Sequence, residues 1–435
     1  MLNTYEEAIE WIHGLLPHGV KPGLKRVEWM LSRLGHPERK LRSIHVGGTN
    51  GKGSTVTFLR SMMQEGGYRI GTFTSPYVEE FNERIAVNGE SISNEDFLRA
   101  ANRVKPLADE LSESKFGSPT EFEAITVIAM LFFAETAYPD FVIFEVGLGG
   151  RLDSTNVIYP MLSVITNVGY DHTEILGDSL TSIAKEKAGI IKAGTGVVSG
   201  CEQPEVIDQI RKVCAEKKAK LYLPGNGFSF AHESSNTEGE TFSYQSVFAK
   251  REQLSIRLKG AHQVKNAAIA LMAVDYLNKY FALVLEENDI REGLKKAFWP
   301  GRFEAISSKP CVIVDGAHNP EGIRTLIETV RVTFPGNRVK ILFAAATNKN
   351  TKEMLRLLNT LSSEIALTSF SFEKAQTAEY LRHEADFTPV ISTDDWNKAF
   401  DHLLQGADEQ TVILVTGSLY FISEVRKERR CVSRK

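Results

Sequence analysis

Residues 45–55, HVGGTNGKGST, form a glycine-rich segment that contains a lysine followed closely by two hydroxyl residues. A hydrophobic run precedes the segment, and an amphipathic run follows it. Glycines allow backbone N–H groups to converge on phosphate oxygens, and the amino end of a helix adds partial positive charge. Lys52 would reach the β- and γ-phosphates, and the hydroxyl of Ser54 or Thr55 could meet a magnesium ion. Gly53 separates the lysine from these hydroxyls, so the spacing departs from the common G-x-x-x-x-G-K-[ST]. The predicted nucleotide-binding residues of this loop are Thr49, Asn50, Gly51, Lys52, Gly53 and Ser54.

Polar side chains also follow three other hydrophobic runs, at the points where strands are predicted to end. Glu145 ends DFVIFE, His172 follows MLSVITNVG, and Ser75 follows YRIGTFT. In an α/β fold, ligands bind outside the carboxyl ends of the strands. Taken singly, Ser75 fits a turn before Pro76, and His172 fits an ordinary loop histidine. Together, on successive strand ends, they indicate a site.

Two polar residues on predicted helices have ordinary explanations from spacing alone. Lys187 in AKEKAGI reads as an exposed helix lysine. Asn266 lies four residues after His262 in GAHQVKNAAIA, as in a polar helix start. Neither spacing by itself indicates chemistry.

Charged residues recur where the last third of the chain begins. Arg302 lies in WPGRFE, and Asp315 and His318 lie in VDGAHNP. An arginine brought in from another domain can neutralise the charge of a γ-phosphate as it transfers. The second segment also fits a strand-to-helix turn in which Asn319 or Pro320 opens a helix. The two interpretations are compatible.

The elements that must position these residues follow one pattern. Short β-branched runs alternate with amphipathic helical stretches, as in parallel sheets covered by helices. Residues 227–260 change to strict alternation, which predicts an antiparallel ribbon at the domain edge. Pro300 and Gly301 break the helical pattern, so we place a domain boundary between 1–298 and 299–435. The basic end RKERRCVSRK reads as a frayed, solvated tail.

The totals are those of an ordinary globular protein. The chain has 435 residues, of which 42% are hydrophobic and 24% charged. The net charge of −4 offers no bulk positive field to nucleic acid or an anionic membrane. No apolar run approaches the roughly 20 residues of a membrane span, and the four cysteines lack C-x-x-C spacing. We expect a cytoplasmic, monomeric enzyme without nucleic-acid or membrane partners.

The order of motifs along the chain resembles the folylpolyglutamate synthase/dihydrofolate synthase family of the Mur ligase superfamily. The motifs are IHVGGTNGKGST, TSPYVEEFNERI, FEVGLGGRLDSTN, ITNVGYDHTEILGDSLTSIAKEKAGIIKAG, GAHQVKNAAIA, WPGRFE, DGAHNP and VTGSLYFISEVR. The resemblance implies an α/β fold with an ATP-binding, Mur-ligase-like P-loop domain at 1–298, built on a mostly parallel sheet. A smaller Rossmann-like ligase domain would follow at 299–435. The implied reaction adds L-glutamate to a folate, and leaves dihydropteroate open as a second acceptor, through an acyl phosphate.

The resemblance further implies a metal site and a modified lysine. Ser75, Glu145 and His172 would ligate Mg²⁺, and a monovalent cation is also allowed. Lys187 would be carbamylated by carbon dioxide, which requires a neutral amine and hence a lowered pKa. Lys185 could contribute to that shift only if it faces the same pocket.

The remaining roles that the resemblance implies concern the nucleotide and the amino acid. Asn266 would touch the adenine or its ribose, Asp315 the nucleotide, Arg302 the transferring phosphoryl group, and His318 the incoming amino acid. The implied catalytic residues are Lys52, Lys187, Arg302 and His318. Three aromatic residues could stack on a flat heteroaromatic ring or simply pack in the core: Tyr77, Phe81 and Phe122.

One departure and two alternatives accompany this interpretation. Family members often carry DKD after the strand reading ILFAAA, whereas this chain has Asn348-Lys349-Asn350 and so lacks two negative charges. A related Mur-type ligase would act on a peptidoglycan precursor or another peptide acceptor. A non-catalytic P-loop switch would account for Lys52 but would leave the other candidate residues without a role.

Overall fold

The structure is a computed structural model of the chain, and it describes residues 1–16, 19, 21–236, 238–347 and 349–432. Asn348, which belongs to the departure from DKD, lies outside the described residues. Packing divides the chain into two compact units. The first consists of Met1–Ala231, Phe242–Ser255 and Lys265–Ala297, and the second of His232–Thr241, Ile256–Val264 and Phe298–Lys435.

The larger sheet has eleven strands in the order β11-β10-β9-β8-β7-β6-β1-β5-β2-β3-β4. Their bounds are β1 (Ser43–Gly47), β2 (Ile70–Phe73), β3 (Ile85–Val87), β4 (Glu90–Ser91), β5 (Phe141–Glu145), β6 (Leu162–Ile165), β7 (Gly196–Ser199), β8 (Lys220–Pro224), β9 (Gly227–Ser235), β10 (Glu240–Ser246) and β11 (Lys250–Ile256). Strands β2, β5, β1, β6 and β7 are successive parallel neighbours. Their carboxyl ends therefore lie along one edge of the sheet.

Helices cover this sheet on both faces. Their bounds are α1 (Tyr5–His13), α2 (Lys25–Arg33), α3 (Lys52–Glu65), α4 (Asn94–Ser112), α5 (Glu121–Phe132), α6 (Thr173–Leu176), α7 (Leu180–Ala188), α8 (Pro204–Lys217), α9 (Ala261–Phe281) and α10 (Glu287–Lys296). Every residue of β1, β2, β5, β6 and β7 is buried, which explains their continuous apolar runs. Helix α5 is buried over almost its whole length, as its apolar sequence predicts.

The smaller sheet has six strands in the order β12-β13-β17-β14-β15-β16. Their bounds are β12 (Glu304–Ser308), β13 (Cys311–Asp315), β14 (Arg338–Phe343), β15 (Glu364–Leu367), β16 (Ile391–Ser392) and β17 (Thr411–Thr416), and the helices are α11 (Pro320–Thr333), α12 (Thr351–Asn359), α13 (Ala378–Glu384), α14 (Trp396–Leu404) and α15 (Leu419–Val432). Only β12 runs antiparallel to its neighbour in this sheet, as far as the described residues go. Separate apolar clusters lie on its two faces, one with α11–α13 and the other with α14 and α15. The predicted fold class, a mostly parallel P-loop domain and a smaller Rossmann-like domain, is confirmed.

The basic end of the chain differs from its prediction over residues 426–432, and residues 433–435 lie outside the described residues. Helix α15 continues to Val432 instead of fraying. Arg426 in this helix is buried and pairs with the buried Glu304 of β12, with Nε 2.9 Å from Oε2. The apolar face of α15 and this ion pair stabilise the helix despite the charge of the segment. The charged composition alone therefore suggests more disorder than the structure has. None of the described helices is long and apolar enough to cross a membrane.

Candidate active site

The loop after β1 leads directly into the amino end of α3, as predicted. Gly51 precedes the helix with φ of 80°, in the left-handed region that favours glycine. A Cβ atom at Gly51 would lie 2.4 Å from Asn266 Oδ1, so a side chain is excluded sterically as well. Among the described residues no side chain caps α3. The N–H groups of its first turn are therefore available to donate hydrogen bonds to an anion.

Lys52 folds back over this loop. Its ammonium donates hydrogen bonds to the carbonyls of Gly48, at 3.1 Å, and Thr49, at 3.2 Å. Ser54 and Thr55 are buried in the first turn of α3, and the Thr55 hydroxyl has no hydrogen-bond partner among the described residues. The structure thus brings Lys52, Ser54 and Asn266 to the same loop.

The end of β6 holds the loop in place, a role that the sequence did not reveal. Asn167 Oδ1 accepts the backbone N–H groups of Thr49, at 3.2 Å, and Asn50, at 2.8 Å. The Thr166 hydroxyl donates to the Asn50 carbonyl at 2.6 Å. The Thr49 hydroxyl bonds to Gly169. The polar residues directly after MLSVI were the sequence signal for this role, and in the structure they support the loop through hydrogen bonds.

Two of the predicted metal ligands come together at the ends of β5 and β2. Glu145 is buried, with 4% of its surface exposed, and its Oε2 accepts the backbone N–H of Ser75 at 3.3 Å. Phe122 covers the next turn, because a Cβ at Gly147 would lie 2.5 Å from its ring. A buried carboxylate beside a hydroxyl residue suits a hard cation such as Mg²⁺.

His172 follows β6 at the same edge of the sheet. Its backbone is left-handed, with φ of 50°, immediately before α6, and its side chain is partly exposed. Its Nε2 lies 3.9 Å from Asp171 Oδ1. No group of three His, Cys, Asp or Glu side chains in the described part of the chain is arranged to hold a metal. The predicted trio contains only two such residues and a serine, so it stays a prediction.

Lys187 is buried on α7, so the reading from spacing alone, an exposed lysine, is wrong. Burial, and then the nearby Lys52 cation, lower the pKa of Lys187 to about 7. Lys185, two residues away, is exposed. The cation beside Lys187 is therefore Lys52, from a segment distant in sequence, and not its helical neighbour.

A buried polar chain fixes the turn after Glu145. Asp153 Oδ2 accepts the Leu148 N–H at 2.8 Å, and Oδ1 accepts the Thr155 N–H at 3.0 Å and its hydroxyl at 2.5 Å. His45 Nε2 lies 2.8 Å from the same hydroxyl. Burial raises the pKa of Asp153 and lowers that of His45 to about 3. The chain ties β1 to this turn, and the aspartate in GGRLDSTN was its only sequence signal.

The second unit brings Arg302 and Asp315 together. A Cβ at Gly316 would lie 2.4 Å from Arg302 Nη1. Asp315 accepts the backbone N–H groups of Phe303 and Ala317, both at 2.9 Å. Burial raises the pKa of Asp315, and the Arg302 cation opposes that rise. An arginine and a carboxylate thus converge after β13, at the carboxyl edge of the smaller sheet.

His318 and Asn319 occupy the turn into α11. His318 Nδ1 lies 2.9 Å from the Gly316 carbonyl, which can only accept, so Nδ1 carries the proton. Asn319 caps the helix by accepting the Gly322 N–H at 2.8 Å, and Pro320 is its first residue. The predicted helix start is confirmed.

The three aromatic candidates differ in their surroundings. Phe81 is buried against Phe97, at 5.8 Å between ring centroids, and against Tyr77, at 5.7 Å. The Arg84 guanidinium lies over the rings of Tyr77 and Phe81. Core packing therefore accounts for Phe81, whereas Tyr77 and Phe122 are only partly buried.

Two protein-family models match this chain. Residues 46–274 match the Mur ligase middle domain, and residues 301–419 match the Mur ligase glutamate ligase domain. The dihydrofolate synthase/folylpolyglutamate synthase of Bacillus subtilis is 44% identical, over 98% of this chain and 99% of its own.

Two solved structures extend the comparison to bound ligands. The Escherichia coli FolC protein in complex with DHPP and ADP matches with a TM-score of 0.89 and 28% identity, over 100% of this chain and 99% of its own. The folylpolyglutamate synthase of Mycobacterium tuberculosis, solved with ADP and AMPPCP, also gives 0.89 and 28%, over 98% and 99%.

Proposed function

The chain belongs to the folylpolyglutamate synthase/dihydrofolate synthase family of Mur ligases, and on that premise we propose that it joins L-glutamate to a folate at the expense of ATP. The observation that carries the proposal is the convergence of the Lys52 loop, the buried Glu145 and the buried Lys187 at one edge of the larger sheet. A protein that only binds nucleotide would not need the last two. The relatives solved with ADP and AMPPCP support the use of ATP.

The reaction needs ATP because a carboxylate oxygen is a poor leaving group. A carboxylate oxygen of the folate attacks the γ-phosphorus, the bond to the β-phosphate oxygen breaks, and ADP leaves. The amine of L-glutamate then attacks the acyl phosphate carbon, losing a proton, and inorganic phosphate leaves as the amide forms. Lys52 and the N–H groups of α3 stabilise the charge on the transferring phosphoryl group.

Ser75, Glu145 and His172 are the residues that would hold Mg²⁺, and Lys187, once carbamylated, would supply a further carboxylate-like ligand. The donors fit the ion, since Glu145 is a buried carboxylate beside Ser75. Bound Mg²⁺ would screen the phosphate charges against the incoming carboxylate. The burial of Lys187 suits carbamylation, because a neutral amine is the form that reacts with carbon dioxide.

The proposed division of labour follows the two domains predicted at 1–298 and 299–435, the first binding ATP and the second serving ligation. Asn266 contacts the adenine or ribose, and Asp315 the nucleotide. Arg302 neutralises charge on the phosphoryl group during transfer, and His318 faces the incoming amino acid. The ordered Arg302–Asp315 pair supports these roles.

Dihydropteroate is proposed as a second acceptor, since the Bacillus subtilis relative carries both activities in its name. A cytoplasmic location and a monomeric state stay predictions.

A purified-protein assay tests the function. ADP release should require both L-glutamate and either tetrahydrofolate or dihydropteroate, and the product should gain the mass of one glutamate residue per cycle. Hydrolysis of ATP that is indifferent to both substrates would favour the nucleotide switch. ADP release that depends on a UDP-muramyl or other peptide acceptor would favour the related Mur-type peptide ligase.

A further inference from the structure

The backbone that carries Arg302 is unusually constrained. Gly301 and Phe303, on either side of it, both have positive φ, of 69° and 46°. For phenylalanine this conformation is strained, and strain of this kind persists only where surrounding contacts enforce it. Since Arg302 is proposed to contact the phosphoryl group, the contacts that hold this backbone conformation bear on its position.

Two carboxylates, the partly buried Asp315 and the buried Glu304, hold the turn from opposite ends. Asp315 Oδ2 accepts the N–H of Phe303 at 2.9 Å, after the arginine. Glu304 Oε2 accepts the N–H of Gly301 at 2.8 Å, before it. The carbonyl of Gly301 in turn accepts the N–H of Gly316 at 2.9 Å. The turn is thereby closed on itself and tied to the end of β13.

Arg426 on α15 is the counterion that keeps one of these carboxylates in place. Its Nε donates to Glu304 Oε1 at 3.1 Å and to Oε2 at 2.9 Å, and both side chains are buried. A buried carboxylate left without its cation would take up a proton or turn toward water. Protonation would weaken the hydrogen bond that Glu304 accepts from the N–H of Gly301, and turning away would break it. Both would loosen the turn that aims Arg302.

We propose that the Glu304–Arg426 ion pair positions Arg302 for phosphoryl transfer, which makes Arg426 a positioning residue at the far end of the chain. The proposal rests on the function proposed above. Arg426 needs no contact with substrate, because its effect passes through Glu304 to the backbone of Gly301. Misplacing a catalytic group by about 1 Å can cost on the order of 100-fold in rate.

The test compares Arg426→Met with Arg426→Lys in the full-length protein, at a temperature where each is folded. We expect Arg426→Met to lower kcat by about tenfold or more with little change in KM for the folate, because Arg302 acts on transition-state charge. Arg426→Lys keeps the cation and should recover most of kcat. If Arg426→Met does not fold, the double variant Glu304→Met/Arg426→Met replaces it, since it leaves no buried charge unpaired. It also removes the acceptor of the Gly301 N–H, so the same loss of kcat is expected.

Lys340→Met is the matched control. Lys340 is also a buried cation of the second unit, but its ammonium donates to the carbonyls of Leu403 and Gln405, at the end of α14. This variant should lower the melting temperature while kcat stays within about twofold of the wild type. Equal losses of kcat in the Lys340 and Arg426 variants would overturn the proposal, since destabilisation alone would then explain both.

Arg302→Lys separates failure of this inference from failure of the proposed function. If Arg302→Lys keeps the wild-type kcat, the role of Arg302 in phosphoryl transfer is wrong, and the inference falls with it. If Arg302→Lys loses activity while a folded Arg426→Met keeps it, only the positioning role of the ion pair is overturned.

Discussion

Lys52 and Lys187 illustrate how the same side chain acquires two different environments in one fold. Lys52 donates hydrogen bonds to carbonyls of the loop that is proposed to bind phosphate. Lys187, in contrast, is buried, and its pKa is lowered to about 7. The Lys52 cation contributes to the lowered pKa of Lys187, because burial weakens the screening of its charge. Their separation in sequence hides this relationship, and only their common position at the sheet edge reveals it.

Replacing Lys187 tests whether the buried amine takes part in ligation. Lys187→Met should reduce glutamate-dependent ADP release on the order of 100-fold or more, by analogy with the loss of one electrostatic donor. Lys185→Met removes an exposed lysine of the same helix and should leave the rate within about twofold. The measurement is steady-state kcat at saturating substrates. Wild-type turnover in Lys187→Met would remove this residue from the mechanism.

Replacing Lys52 tests the phosphate contact itself. Lys52→Met should lower kcat by on the order of 10²–10³, or about 3–4 kcal/mol of transition-state stabilisation. ATP binding, measured by titration calorimetry in the presence of Mg²⁺, should weaken as well. A variant that binds ATP and turns over like the wild type would contradict the assignment of this loop.

At the scale of elements, the end of β6 supports the loop between β1 and α3. Asn167 satisfies two loop amides with one oxygen, so protein contacts hold the loop in its shape. Preorganisation of this kind reduces the entropy lost on binding. The edge of a parallel sheet therefore supplies both the binding groups and their support.

Asn167→Ala should weaken ATP binding by about 10- to 30-fold, because two neutral hydrogen bonds contribute roughly 1.4–2 kcal/mol together. Asn102→Ala is the control, since Asn102 also makes two side-chain bonds to backbone, both to Leu2. Calorimetric titration with ATP compares the two variants. Equal affinities in Asn167→Ala and the wild type would show that the loop keeps its shape without this support.

At the scale of the whole molecule, buried histidines link stability to pH. Burial lowers the pKa of His45 to about 3, so between pH 3 and 6.5 the unfolded chain binds a proton that the native protein does not. Stability therefore falls as the pH drops through this window, by up to about 1.4 kcal/mol per pH unit. His262 has a pKa lowered to about 4, by burial and then by Arg302, and acts in the same direction.

His45→Gln should reduce the loss of stability between pH 7 and pH 5 by about 2 kcal/mol, the contribution of one such histidine over that interval. His383→Gln, at an exposed position of α13, should leave the loss unchanged. Urea unfolding at the two pH values measures the difference. An identical pH dependence in His45→Gln and the wild type would mean that His45 is not held neutral in the native state.

Much of the fold was predictable because its strands are buried on both faces. The runs ending at Gly47, Glu145 and Ile165 read as strands from their continuous apolar residues. The start of α11 was predictable from Asn319 and Pro320, since caps obey local rules. The helical conformation of the basic end was not predictable, because Arg426 in that segment pairs with Glu304, more than a hundred residues away.

The sequence by itself determined the elements, the phosphate loop and, through the series of motifs, the family. Local periodicity and turn chemistry suffice for these, because they depend on residues near in the chain. Only the tertiary structure decided that Lys187 is buried beside Lys52, that Asn167 braces the loop, and that Glu304 and Arg426 constrain the turn of Arg302. Such contacts join distant segments, and burial and pairing exist only once the sheets have brought those segments together.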